Sequence, residues 1–211
     1  MRKKITAFIH ASVAFPNTIL KPSLVLESCG NKPILVHVLE NVLHAPEISN
    51  IIVVTSDNDK DSVIEEYAFS AECPASKKVT VHRIPEEKEF SFKPVRGQLR
   101  EISFPYMWRP WFGLFTLAGY KDLIQTYPCE KGIILEAAWV SSVTPGFISR
   151  IIAETEDTVT VYEEQNPFRR LYGFSVKALQ GLIERNQGKV QTEVTSKGKV
   201  PLLHDVLQAE Q

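Results

Sequence analysis

Chemistry in this chain would have to come from polar residues that directly follow apolar runs. His10 lies near the end of the run Ile5–Ala11, and Ser12 follows it. An imidazole there can serve as donor or acceptor near neutral pH, and so can a hydroxyl. The plainer reading of His10 is a structural histidine satisfied inside the fold. Lys21 lies in the polar, proline-containing stretch Ser12–Ser23. Its charge suits a phosphate, and the alternative is a solvated loop lysine. Gly30-Asn31-Lys32 forms a turn signal that ends in a cation. Lys32 either helps the turn, snorkels over the sheet or reaches a ligand. Asp57 follows the β-branched run Asn50–Thr55, and Glu136 follows Lys131–Leu135. No histidines are spaced as metal ligands, since neither H-x-x-x-H nor H-x-H occurs.

These residues need a frame to bring them together. Ile5–Ala11 reads as a buried first strand, and Leu24–Leu26 as a short extended piece. Gly30-Asn31 turns the chain, and Pro33 sits where a first helical residue would. Ile34, Leu35, Val38, Leu39, Val42 and Leu43 then share one helical face, with His37, Glu40, Asn41 and His44 opposite. Asn50–Thr55 has the composition of a strand covered on both sides. Asp57 and Asp59 are placed to cap the helix that follows, to about Phe69.

Lys78–Ile84 and Lys131–Leu135 are further strands, with a helical pattern over Phe112–Tyr127 between them. Thr144-Pro145 opens another helix. Asp157–Tyr162 and Leu171–Phe174 are strands, and Val176 to about Arg185 is a helix. Strands alternating with helices imply an α/β fold: a three-layer sandwich around a mostly parallel, Rossmann-like sheet. Ligands in such sheets gather at the carboxyl ends of the strands. The domain is expected to span residues 1–185. Residues 186–211 read as a C-terminal extension, a link to a further domain.

The bulk numbers narrow the partners. Lys and Arg number 24 against 25 acids in 211 residues, for a net charge of −1. That balance gives no electrostatic reason for nucleic acid or an anionic membrane surface. No window approaches the ~18 apolar residues of a membrane span. Cys29, Cys73 and Cys129 are scattered and odd in number, which suits reduced thiols in the cytoplasm.

The stretch from Lys21 to Asp57 carries a resemblance. Gly30-Asn31-Lys32-Pro33, the helix after it and Val53-Val54-Thr55-Ser56-Asp57 occur in order and spacing. Together they resemble the sugar nucleotidyltransferases, most closely the cytidylyltransferase type of spore-coat polysaccharide and acidic-sugar pathways. Val143-Thr144-Pro145-Gly146-Phe147-Ile148 and Leu171–Leu179 resemble later steps of that fold. The resemblance implies attack of a sugar hydroxyl or sugar phosphate on the α-phosphate of a nucleoside triphosphate, with loss of pyrophosphate. Backbone donors, basic side chains and magnesium would hold the developing charge.

Several of those parts are replaced. The family's first loop is rich in glycine and arginine; here it reads Ala11-Ser12-Val13-Ala14-Phe15-Pro16-Asn17. The family's metal-binding aspartates fall near Trp139 and Arg170, neither of which ligates magnesium. Glu136 is the one acid near the first of these positions.

The expected function is therefore that of a degenerate cytidylyltransferase-like module. It would bind a nucleotide or sugar nucleotide through His10, Ser12, Lys21, Gly30, Asn31, Lys32 and Asp57, without catalytic or metal-binding residues. No cofactor is expected, and magnesium enters only under the first alternative, an active but rewired enzyme of surface polysaccharide biosynthesis. The second alternative is a protein-interaction domain using Tyr106, Trp108, Arg109 and Trp111, aromatics and arginine being typical of interface hot spots. A homodimer or partner domain is a further expectation.

Overall fold

The computed structural model describes residues 5–13, 24–71, 77–84, 117–136, 143–163 and 170–196. Its centre is a six-stranded sheet in the order β5-β4-β1-β6-β8-β7. The strands are β1 (Ile5–His10), β4 (Ile48–Ser56), β5 (Lys78–Ile84), β6 (Lys131–Glu136), β7 (Val159–Glu163) and β8 (Arg170–Ser175). β5, β4, β1 and β6 run parallel, β8 runs against β6, and β7 runs against β8. The mostly parallel α/β fold expected from the sequence is the fold observed, with β1 and β4 adjacent in mid-sheet. A small antiparallel hairpin, β2 (Ser28–Cys29) with β3 (Lys32–Pro33), stands apart from the sheet.

Alternation along β1 sorts its side chains between two cores. Ala7 and Ile9 meet α1 (Ile34–His44), α2 (Ser62–Ser70) and α4 (Pro145–Glu154) on one face. Phe8 meets α3 (Leu117–Thr126) and α5 (Val176–Ser196) on the other. The result is three layers, helices covering both faces of the sheet. Gly132 on β6 lies under the Phe174 ring of β8, where a methyl group would have no room.

The α1 face is as the spacing predicts, with Leu35, Val38, Leu39, Val42 and Leu43 buried. Val36 is buried too, and Ile34 only half so. Lys77 Nζ donates to the carbonyls of Leu43 and Ala45. It thereby places a cation at the helix's carboxyl end, where orphan carbonyls and the dipole favour it. Val38 is fully buried. Val38→Ala is expected to cost about 2 kcal/mol, through lost transfer energy and a small cavity, as read from the urea unfolding midpoint.

Several local expectations are corrected. Leu24–Leu26 is a short 3-10 turn rather than an extended piece. It buries Val25 against the α1 side of the core. Pro33 closes the hairpin and precedes the helix, so Ile34 is its first residue. Neither Asp57 nor Asp59 supplies a cap. The Asn58 side chain accepts from Lys60 N and opens a 3-10 turn over Asp59–Asp61. The last helix runs past Arg185 to Ser196. Thr144 does cap α4, accepting from Phe147 N with Pro145 in the first turn. Among the described residues, no helix is long and apolar enough to cross a membrane.

Candidate functional site

The parallel strands β1, β4, β5 and β6 end together, and their carboxyl ends form the natural cleft of this sheet. At the end of β1, His10 is fully buried and stacks on Tyr120 of α3, with ring centroids 6.4 Å apart and planes 18° from parallel. Burial pulls its pKa down from the ordinary value to about 3. The imidazole is thus neutral at physiological pH. Its ring packs into the α3–α5 side of the fold instead of lying open at the strand ends.

Beyond His10 the chain changes partner. Ala11 N donates to Val54 O at 3.0 Å, extending the β1–β4 ladder by one step. Ser12 is buried, and its Oγ donates to Asp61 Oδ2 at 2.7 Å. Val13 N donates to Asp61 Oδ1 at 2.6 Å. From the end of β4, Ser56 donates to Oδ2 of the same carboxylate through both its backbone N, at 3.3 Å, and its Oγ, at 2.5 Å. Asp61 is fully buried. Its two oxygens therefore bind the exits of β1 and β4 into one unit. The local sequence makes this possible: Asn58 tightens the chain into a 3-10 turn, which carries Asp61 back beneath Ser56.

Asp61 is the residue that sequence reasoning missed. Asp57, Asp59 and Asp61 alternate within seven residues, Ser56–Ser62, and nothing in that spacing singles out the buried one. The available signal lay in the first apolar position of α2: Ile64 is fully buried, and Asp61 stands one helical turn before it. Asp57 itself is exposed, with its backbone N donating to Ile84 O at 2.9 Å.

Gly30 and Asn31 form the tip of the hairpin. Gly30 has φ +70°, the left-handed backbone a tight hairpin needs at its first loop residue and one that glycine adopts without strain. Lys32 Nζ pairs with Glu40 Oε1 of α1 at 2.7 Å. The hairpin is further tied to α1 by His37 Nε2 against Cys29 O at 2.7 Å, and by Ile34 N donating to Glu27 O at 3.0 Å. Lys32 thus holds the turn to its helix.

The structure therefore joins Ser12 to Asp61 and Ser56, turns His10 towards α3 and sets Lys32 against α1. Lys21, Tyr106, Trp108, Arg109, Trp111 and Trp139 lie outside the described residues. Glu136 stands beside His10 in the β1–β6 register, and Arg170 opens β8 opposite Glu163. Among the described residues, no three His, Cys, Asp or Glu side chains are grouped as a metal site.

Comparison with known proteins gives this geometry a context. Residues 22–82 match the family model described as cytidylyltransferase. That segment contains the hairpin, α1, β4, the Asp61 turn, α2 and most of β5, and it stops short of β1 and its exit loop. No curated protein matches the chain in sequence. Among solved structures, a cytidylyltransferase from Leptospira borgpetersenii serovar Hardjo-bovis superposes with a TM-score of 0.55 at 14% identity, covering 93% of this chain and 72% of that one. A 4-diphosphocytidyl-2C-methyl-D-erythritol synthase from Anaerococcus prevotii gives 0.55 at 12% identity, covering 100% and 85%. A CMP:2-keto-3-deoxy-manno-octonic acid synthetase, solved with CTP, gives 0.50 at 14% identity, covering 98% and 86%. At these identities the likeness to the solved structures is one of fold. With the matched segment, it makes this a cytidylyltransferase-like domain.

Proposed function

We propose that this domain binds a nucleotide or sugar nucleotide at the carboxyl ends of β1, β4 and β6 and does not turn it over. The observation that carries the reading is the inward turn of the β1 exit. Val13 N and Ser12 Oγ, two donors at the start of the loop that would face phosphate, both donate to Asp61. A buried carboxylate in that position offers negative charge to an incoming phosphate. The residues after it, Ala14-Phe15-Pro16, bring no charge, and Pro16 brings no N–H.

Nucleotide binding is supported from another side. The family match covers the hairpin and the β4 exit, and the same fold was solved with CTP in the synthetase. Recognition of a base needs a pocket and a few well-placed donors and acceptors. It does not need the multi-donor cradle that operates only in the transition state.

The residues at the metal positions do not fit a magnesium ion. Arg170 is a cation and the Trp139 side chain has no oxygen, whereas magnesium is held through carboxylates. No step through a metal is assigned. CTP affinity, measured by titration calorimetry, is expected to change less than about twofold between EDTA and millimolar Mg²⁺. Magnesium-dependent binding that Glu136→Gln abolishes would instead show a recruited acid, and would favour an active, rewired enzyme.

A further inference from the structure

Among the polar groups at the exits of β1 and β4, one hydroxyl is left over. Asp61 accepts from Ser12, from Val13 and twice from Ser56. Thr55, the residue before Ser56, is 1% exposed, and its Oγ1 has no hydrogen-bond partner among the described residues. Its neighbours across the sheet are engaged elsewhere. Arg83, level with Thr55 on β5, turns its guanidinium to Glu65 of α2, with Nη2–Oε2 at 3.0 Å and Nε–Oε2 at 3.3 Å. On the β1 side the ladder continues into Ala11, which has no polar side chain.

A buried hydroxyl without a partner is costly, and native proteins rarely keep one without a use. A valine would fill the same space without that cost. We infer that the Thr55 hydroxyl is a contact for the nucleoside part of the bound nucleotide; this rests on the nucleotide-binding reading above. Position favours a ligand, because Thr55 is the penultimate residue of a central parallel strand, at the end where such sheets bind. Charge favours the nucleoside over the phosphates. The adjacent residue, Ser56, is bound to a carboxylate, which repels phosphate but tolerates a neutral carbonyl, amine or ribose hydroxyl. A hydroxyl can donate or accept towards any of these.

The test is Thr55→Val, with Thr55→Ser as the variant that keeps the hydroxyl. Thermal melting is measured without ligand, and Kd for cytidine, CMP and CTP by calorimetry. Thr55→Val is expected to melt no lower than the wild type, because only an unsatisfied group is removed. Its Kd is expected to rise about tenfold, by the same factor for cytidine as for CTP. Thr55→Ser is expected to stay within about threefold of the wild type. A Thr55→Val protein that melts lower assigns the hydroxyl to an internal water and overturns the inference, whatever its affinity. Unchanged affinity overturns it too, as does a loss confined to CTP, which would place the contact on the phosphates. If the wild type binds none of the three, the nucleotide-binding reading itself fails and takes this inference with it.

Discussion

Pyrophosphate release from CTP, UTP, GTP or ATP, offered with common sugar acceptors, is expected to stay at background in a coupled assay. The reasons act on the same transition state. Charge gathers on the α-phosphate oxygens and on the departing pyrophosphate, and fixed donors must already point there. A single such donor is worth ~10²–10³ in rate. In this chain the Val13 backbone N–H of the β1 exit points at Asp61, and Pro16 supplies none. On the proposed reading, with Trp139 and Arg170 where the resemblance places the metal acids, the leaving group also lacks the charge of a bound metal, worth several kcal/mol. Lys32 does not make up the difference, because Glu40 already holds it at 2.7 Å. Lys21→Ala and Lys32→Ala are the controls. Turnover at ~1 s⁻¹ or above that either substitution abolishes would overturn the non-catalytic reading.

Asp61→Ala is expected to destabilise the fold by about 3 kcal/mol, the scale for buried hydrogen bonds to a charged acceptor whose donors are left behind. For a domain of this size that corresponds to a fall in Tm of roughly 10 °C. The mechanism is specific: two backbone N–H groups, of Val13 and Ser56, cannot turn away, whereas the two serine hydroxyls can. Asp61→Asn should therefore recover part of the loss. With its carbonyl oxygen at the Oδ1 position it still accepts from Val13 N, and its amide at the Oδ2 position can donate to the rotated serine hydroxyls, so that only the longer Ser56 N bond is lost. Denaturant unfolding reads both variants, and an Asp61→Ala midpoint equal to that of the wild type would show that the carboxylate ties nothing together.

Much of the frame could be read from the sequence because it is written in apolar periodicity. The runs at Ile5, Ile51 and Ile133 are strands because β-branched and apolar residues are buried on both faces. The α1 face follows from 3.6-residue spacing. What stayed hidden has no period. The reversal of β8 between β6 and β7 leaves no mark in a strand's composition, which is the same in either direction. The last turns of α5, after Arg185, are rich in polar helix-formers such as Gln, Lys and Glu, so helicity continues there without an apolar stripe to announce it. The 3-10 turn at Leu24–Leu26 is too short for any pattern.

The candidate site was legible only as a location. Ser12 was placed at the β1 exit by the apolar run that precedes it. Its partner was out of reach, because Ser12 and Asp61 meet only through the pairing of β1 with β4. His10 shows the complementary problem. A polar residue at a strand end suggests an open cleft, but alternation sends its side chain to the Tyr120 side. Thr55 looked like an ordinary strand residue, and only the accounting of its hydroxyl distinguishes it.

The position of β1 bears on how the chain is assembled on the ribosome. β1 is made first, and its two neighbours are made far apart in time: Ile48–Ser56 early and Lys131–Glu136 much later. The β1–β4–β5 half, with α1 and α2, can pair as soon as residue 84 has left the exit tunnel. Until β6 emerges, the other edge of β1 remains a bare row of N–H and C=O groups flanked by Phe8 and Ile9, the kind of edge on which nascent chains aggregate. The nascent half-sheet is therefore a form that a chaperone would protect, and a translation pause after residue 84 has left the tunnel and before residue 131 leaves it would prolong that need.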